Sequence, residues 1–275
     1  MNLKKLLNLL KRKNKKMEMK VFTFNLRTEA SVDGINAFHN RHDRVLGCIK
    51  EYDPDIIGFQ ECKSEMKAWL ADVLAPLGYT LVGCGRDKDY HGEGTPVAFK
   101  RSKFELISCV TRWMSLTPTV PGSKFGFDQS ACPRVFTATV LKPENGAPFM
   151  FLNTHTDHKG PVARLLAASE IMQYVSDEKI HFIITGDMNA HPGTPEIEAF
   201  TSPTPCGRPV VDATNLIPGT FHAFGKRETM SKIDYIFTDM PCDPSKSFAV
   251  PDEPVDGVYI SDHRPVCAFV STEEE

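Results

Sequence analysis

No stretch of this 275-residue chain supplies the ~20 consecutive apolar residues that a membrane-spanning helix needs. Paired thiols are missing too. The eight cysteines (48, 62, 84, 109, 132, 206, 242 and 267) form no CxxC and follow no regular spacing, which argues against a cysteine zinc site or a disulfide framework. Cys109 and Cys267 lie inside apolar runs, where a thiol behaves as a small hydrophobe. Internal repeats are absent, and no long Pro/Gly/Ser linker divides the chain. Nor is there a surplus of positive charge: 32 Lys/Arg face 35 Asp/Glu. Eight of the basic residues and one Glu fall in residues 1–20, which leaves 24 basic against 34 acidic residues, about −10, in the remainder. An acidic body is poorly suited to grip long nucleic acid through its phosphates, although a local basic groove is compatible with it.

What is present is the composition of a globular protein, 41% apolar and 24% charged. The segment MNLKKLLNLLKRKNKKMEMK is assigned as a basic extension over residues 1–19, disordered or briefly helical and dispensable. Its LLNLL block is too short and too polar for a signal-peptide core, so a cytoplasmic protein with reduced thiols is expected. Two other readings compete: contact of residues 1–16 with an anionic membrane surface, and a translation start at Met17 or Met19. One domain, expected to be monomeric, is assigned to residues 20–271, and an acidic tail to residues 272–275.

Apolar and β-branched runs predict strands at Val21–Phe24, Ile56–Phe59, Tyr79–Val82, Pro96–Phe99, Phe104–Trp113, Val135–Leu141, Phe149–Asn153, Phe182–Thr185, Ile233–Thr238 and Pro265–Val270. Helices are predicted over His42–Glu51, Glu65–Leu74, Val162–Val175 and Pro195–Phe200. Interspersed strands and helices in these numbers imply an α+β or mixed α/β fold, with two packed sheets flanked by helices.

Several of these runs share one property. VFTFN ends in Asn25, DIIGFQE in Gln60 and Glu61, FMFLNTHTDH in Asn153, His155 and Asp157, and HFIITGDMN in Asp187 and Asn189. Two runs invert the order: Asp234 precedes YIF, and Asp262-His263 precedes the final strand. If all six sets meet at one mouth, four strands run toward it and two run away, so the sheets must be mixed. Taken singly, each residue has a plainer explanation: an N-cap for Asp187, a surface position for Gln60-Glu61, a structural role for His155. The set, with acid, amide and imidazole all at strand termini, points to metal and phosphate chemistry.

In order, FTFNLR, DIIGFQE, LNTHTDH, GDMNAHP, IDYIF and SDHRP resemble the endonuclease/exonuclease/phosphatase superfamily of divalent-metal phosphodiesterases and phosphatases across nearly the whole chain from Lys20 to Val270. The resemblance implies a four-layer α/β/β/α sandwich with two mixed β-sheets, and hydrolysis of a phosphoester with Mg2+ or Mn2+. It implies Glu61, Asn25 and Asp262 as metal ligands, which suits a hard cation that seeks oxygen. Asp187 would activate water and Asn189 would position it. His263, oriented by Asp234, would serve the scissile phosphate. His155 would be the second histidine, oriented by Glu93. Arg27, Arg134 and Arg164 are candidates for substrate phosphate, with His222 near the pocket. No basic, aromatic-rich insertion suited to DNA is found. The expected substrate is therefore a small phosphorylated molecule; nuclease, lipid phosphodiesterase and catalytically silent binding protein are the alternatives. Specificity is expected in loops 85–95, 117–130 and 202–230.

Overall fold

The computed structural model describes residues 17–203 and 207–272, so the membrane-contact reading of residues 1–16 lies outside the described residues. Two six-stranded sheets form. The first runs β11 (Phe248–Ala249), β12 (Val266–Ser271), β1 (Glu18–Asn25), β2 (Ile56–Gln60), β4 (Val97–Lys100) and β3 (Tyr79–Val82). The second runs β5 (Phe104–Trp113), β6 (Val135–Pro143), β7 (Phe149–His155), β8 (His181–Asp187), β10 (Asp234–Thr238) and β9 (Val211–Asp212). Each of the predicted runs becomes a strand. Only β9 and β11, two residues each, were not foreseen. The first sheet takes in Glu18 and Met19, residues assigned to the extension, and Thr272 exchanges bonds with Met17.

Period-two alternation builds the layers. Phe22 and Phe24 of β1 and Ile57 and Phe59 of β2 face outward onto α1 (His42–Tyr52) and α2 (Ser64–Leu74), meeting Val45, Ile49, Met66 and Leu70. On the opposite side, Phe182 and Ile184 of β8 and Tyr235 and Phe237 of β10 meet α3 (Pro161–Asp177) and α4 (Pro195–Thr201) through Ala168, Ile171, Ile197 and Phe200. The alternate residues Val21, Ile56, Phe151, Ile183 and Ile236 fill the space between the sheets. The result is the expected α/β/β/α sandwich.

The strand directions also agree with the convergence argument. β1 and β2 are parallel, as are β7 and β8, while β12 runs antiparallel to β1 and β10 antiparallel to β8. The C-terminal ends of four strands and the N-terminal ends of two therefore share one edge of the sandwich.

Just beneath that edge the inter-sheet layer turns polar. Gln60 Nε2 donates to Asn153 Oδ1 at 2.6 Å and to Thr23 Oγ1 at 3.1 Å. Asn153 Nδ2 donates to the carbonyls of Phe59 and Pro96, and Asn153 Oδ1 also accepts from Thr185 Oγ1. Two of the polar residues at strand ends are thus spent on joining the sheets. Gly58 makes the join possible: a Cβ there would stand 2.3 Å from Thr185 Oγ1 and 2.5 Å from Asn153 Oδ1.

Candidate active site

Alternation carries the inward set one step further to the mouth. In β7, Phe151 and Asn153 lead to His155; in β8, Ile183 and Thr185 lead to Asp187; Asn25 and Asp234 sit at the matching ends of β1 and β10. Glu61 is out of phase, and a left-handed backbone (φ 58°) ends β2 there; its carboxylate lines the cavity. Arg27 (φ 51°) and Asn189 (φ 48°) adopt the same unusual conformation, as backbone strain at functional sites often does. His155, Asp187, Glu61, Arg27 and Asn189 line a cavity of about 330 Å³ with Thr28, Arg86, Glu93, Cys132, Arg134, His158, Phe221, Ile233, Asp262 and His263, and Asn25 and Asp234 stand behind them.

At its floor, Asp234 Oδ2 accepts from His263 Nδ1 at 2.8 Å and from Thr220 Oγ1 at 2.5 Å. His263 Nε2 then stands 3.7 Å from Asp187 Oδ2. Burial alone would depress His263, but the carboxylates of Asp234 and Asp187 outweigh it and push the ring up to about 10. Asp187 moves the other way from an ordinary carboxylate, raised to about 7 by burial and by Asp234. It is thereby a base suited to accepting a proton near neutrality.

Hydrogen-bond direction fixes two amides. Asn189 Nδ2 donates to the carbonyl of Thr156 at 3.2 Å, so the amide cannot be reversed, and its contact with His155 Nε2 at 3.0 Å makes that nitrogen an acceptor. His155 is therefore neutral and protonated on Nδ1, consistent with burial and Arg134 holding it well below its usual range. Asn189 N–H donates to Asp187 Oδ1 at 2.9 Å, and Asn189 Oδ1 has no partner among the described residues. Asn25 Oδ1 accepts from the backbone of Arg27 at 2.8 Å, which turns its NH2 toward Asp187 Oδ2 (3.0 Å) and Glu61 Oε1 (3.2 Å). In this structure Asn25, expected as an oxygen ligand, donates to two carboxylates.

Three further expected residues have other partners in the structure. Glu93 lines the cavity but is paired with Arg86 at 2.7 Å, so the arginine rather than His155 fixes its carboxylate. Arg164 is tied to Glu196 at 2.9 Å and to the carbonyl of Asp157, outside the cavity lining. His222 is buried behind the lining; its ring lies 3.6 Å from Asp252 and its backbone N–H holds the carbonyl of Asp262. Arg27 and Arg134 do reach the cavity. Arg27 forks onto Asp33 at 2.9 and 3.1 Å, a bond that tightens its hold on its proton, and stands 3.8 Å from Asp262.

Sequence reasoning missed Arg86, His158 and Thr220. Arg86 and Thr220 lie in loops already expected to carry specificity, but no local pattern marks them.

Glu61 and Asp262 both present carboxylates to the cavity, the oxygen chemistry a divalent cation takes. Burial first, and the Glu61 charge after it, raise Asp262 above the ordinary carboxylate range, so two carboxylates converge with too little positive charge between them. Arg27 approaches both only at 3.8 and 4.0 Å. Asp187, Asp234 and His263 also offer ligand atoms within 4.8 Å of one another. In this structure the Asp234–His263 bond uses Oδ2 and Nδ1, which leaves Asp234 Oδ1 without a hydrogen-bond partner among the described residues.

Known proteins agree with this architecture. A crystal structure of an endonuclease/exonuclease/phosphatase from Bacteroides vulgatus is 27% identical with a TM-score of 0.80, covering 94% of this chain and 100% of the other. The mannosyl-6-phosphatase of Bacteroides thetaiotaomicron is 26% identical with a TM-score of 0.80, covering 92% and 99%. An uncharacterised protein, L388, of Acanthamoeba polyphaga mimivirus is 28% identical over 165 residues, which span 55% of this chain and 59% of that protein's length. The sequence profile of the Endonuclease/Exonuclease/phosphatase family matches residues 22–263, from β1 to the histidine at the cavity floor, and the chain belongs to that family.

Proposed function

We propose that this protein is a Mg2+- or Mn2+-dependent hydrolase that cleaves a phosphoester bond in a small phosphorylated substrate by activated water. The observation that carries the reading is the buried line Asp234–His263–Asp187, with Asn189 and His155 beside it and Glu61 and Asp262 opposite. Asp187 takes a proton from the attacking water. Asn189, its NH2 already committed, offers Oδ1 to hold that water. The protonated His263 presents Nε2–H to a phosphate oxygen while Asp234 keeps the ring oriented. His155, neutral and protonated on Nδ1, is a hydrogen-bonding group rather than an acid at neutral pH. A divalent cation held by Glu61 and Asp262 would neutralise phosphate charge and stabilise the negative charge that builds on the transferred group.

The test is hydrolysis of p-nitrophenyl phosphate and bis-p-nitrophenyl phosphate with Mg2+ or Mn2+, then of a panel of sugar phosphates, nucleotides, inositol phosphates, lipids and DNA. Sugar phosphates come first, because one similar structure is a mannosyl-6-phosphatase. Asp187→Asn should lower kcat by about 10²–10⁴-fold, the span of general-base catalysis. No turnover of any substrate with either metal, or an unaffected Asp187→Asn, would refute the reading.

A further inference from the structure

One wall of the cavity holds a buried cation whose hydrogen bonding the protein only partly completes. Arg134 is 5% exposed yet lines the cavity. Its Nη2 donates to His158 Nδ1 at 2.9 Å, and its Nε has no hydrogen-bond acceptor. Among the described residues, the carboxylate within ion-pair reach is Asp157, at 3.7 Å. Most of that carboxylate's capacity is used elsewhere. Oδ1 accepts from the backbones of Ser130, Lys159 and Gly160, and Oδ2 accepts from Ser130 Oγ at 2.5 Å. Against the opposing effect of burial, these bonds pull Asp157 down to about 2. A second guanidinium, Arg86, lines the same cavity, its charge shared with Glu93 at 2.7 Å. An ionised donor held without an acceptor is costly unless an anion completes it.

Depth decides which anion. Side-chain exposure falls from 29% at Arg27 and 20% at Glu93 to 6% at Arg134, 5% at His263 and 2% at Asp187. Arg134 is therefore as enclosed as His263 and Asp187. Resting on the phosphoester reading above, we propose that Arg134, with Arg86 beside it, is an anion subsite for the terminal oxygens of a phosphomonoester, so that the substrates are monoesters rather than diesters. A monoester enters with its single ester arm toward the mouth and its remaining oxygens, carrying up to about two negative charges, toward the arginines. A diester carries one charge and a second ester arm, and that arm would take the place of an oxygen against a buried guanidinium.

Two measurements test the proposal. The first is kcat/KM of the wild type with Mn2+ on p-nitrophenyl phosphate and on bis-p-nitrophenyl phosphate. The second is calorimetric titration of inorganic phosphate in EDTA. The wild type should favour the monoester by at least about 10-fold, and Arg134→Gln should cut monoester kcat/KM by roughly 30-fold, the worth of one charge-assisted hydrogen-bond pair. Arg134→Lys keeps the charge but lacks the fork, and should recover only part of the loss. If Arg134→Gln does not fold, the lysine variant carries the comparison. A wild type that prefers the diester, or variants that keep the wild-type monoester-to-diester ratio, overturns the proposal. If neither ester is hydrolysed, the phosphoester reading fails but the titration still decides the subsite. Phosphate binding weakened roughly 10-fold in either variant supports it; equal binding overturns it.

Discussion

Gly58→Ala should be among the most damaging conservative changes in this protein. The added methyl would stand 2.3 Å from Thr185 Oγ1, 2.5 Å from Asn153 Oδ1 and 2.6 Å from Asn153 Cγ, all side-chain atoms of the facing sheet. Either the sheets separate or the Asn153 amide moves. Overpacking of a tight core costs about 1–3 kcal/mol. Asn153 also holds four bonds, from Gln60 and Thr185 and to the carbonyls of Phe59 and Pro96, at about 1 kcal/mol each. With half of those bonds lost, the total is roughly 3–5 kcal/mol, a large fraction of the ~5–15 kcal/mol that holds a typical domain folded. Urea unfolding followed by tryptophan fluorescence measures it. A control comes from Gly47, exposed in the middle of α1 with nothing within 4 Å of its would-be Cβ. Gly47→Ala should stabilise by about 0.5–1 kcal/mol through helix propensity alone. A Gly58→Ala protein within about 1 kcal/mol of wild type would show that the inter-sheet seam is loose and the reasoning mistaken.

Two other outcomes are expected. Asp234→Asn strips the charge from the buried partner of His263, so it should cost about 3–5 kcal/mol of stability and lower kcat by about 10²–10⁴-fold; kcat within threefold of wild type at fixed pH would count against the assigned dyad. Glu170, raised to about 7 by burial from its ordinary 4.5 while the Ser115 backbone and Arg112 only partly offset the shift, makes wild type lose stability as pH climbs from 4.5 through 7. Glu170→Gln is neutral throughout, so its melting temperature should gain on wild type above that window and not below it. A difference that is equal at pH 5 and pH 8.5 would refute this.

The layers were legible because strands buried on both faces leave long apolar runs with abrupt polar ends. Direction was legible from which end carried the polar group. What could not be read locally was the use of each polar group. Asn153 and His155 share one inward face of β7, yet the first joins the sheets and the second lines the cavity; their depth in the sandwich separates them, and depth is a tertiary property. Asn25 has the residue type of an oxygen ligand, but the Arg27 N–H turns its amide around. Arg164 looked like a phosphate ligand until α4 brought Glu196 beside it. His158 and Thr220 meet partners 24 and 14 residues away, and Arg86 meets Glu93 within one irregular loop, so no spacing encodes these meetings. The strands β9 and β11 are two residues long, too short for periodicity to register.

The pairing of β1 with β12 has a consequence for how the protein comes into being. Ser261 Oγ caps the carbonyl of Asn25 across 236 residues of sequence, and Glu18 pairs with Ser271. At about 5–20 residues per second, a ribosome needs roughly 10–50 s to bridge that gap. Throughout that interval the exposed edge of β1 has no β12 beside it, and Asp262 and His263 have not yet been made. The cavity is thus among the last parts of the molecule to assemble, and a nascent chain carries part of its lining without Asp262 and His263. Such long-range closure predicts slow refolding in vitro and a stretch of biosynthesis during which the β1 edge is open to wrong partners.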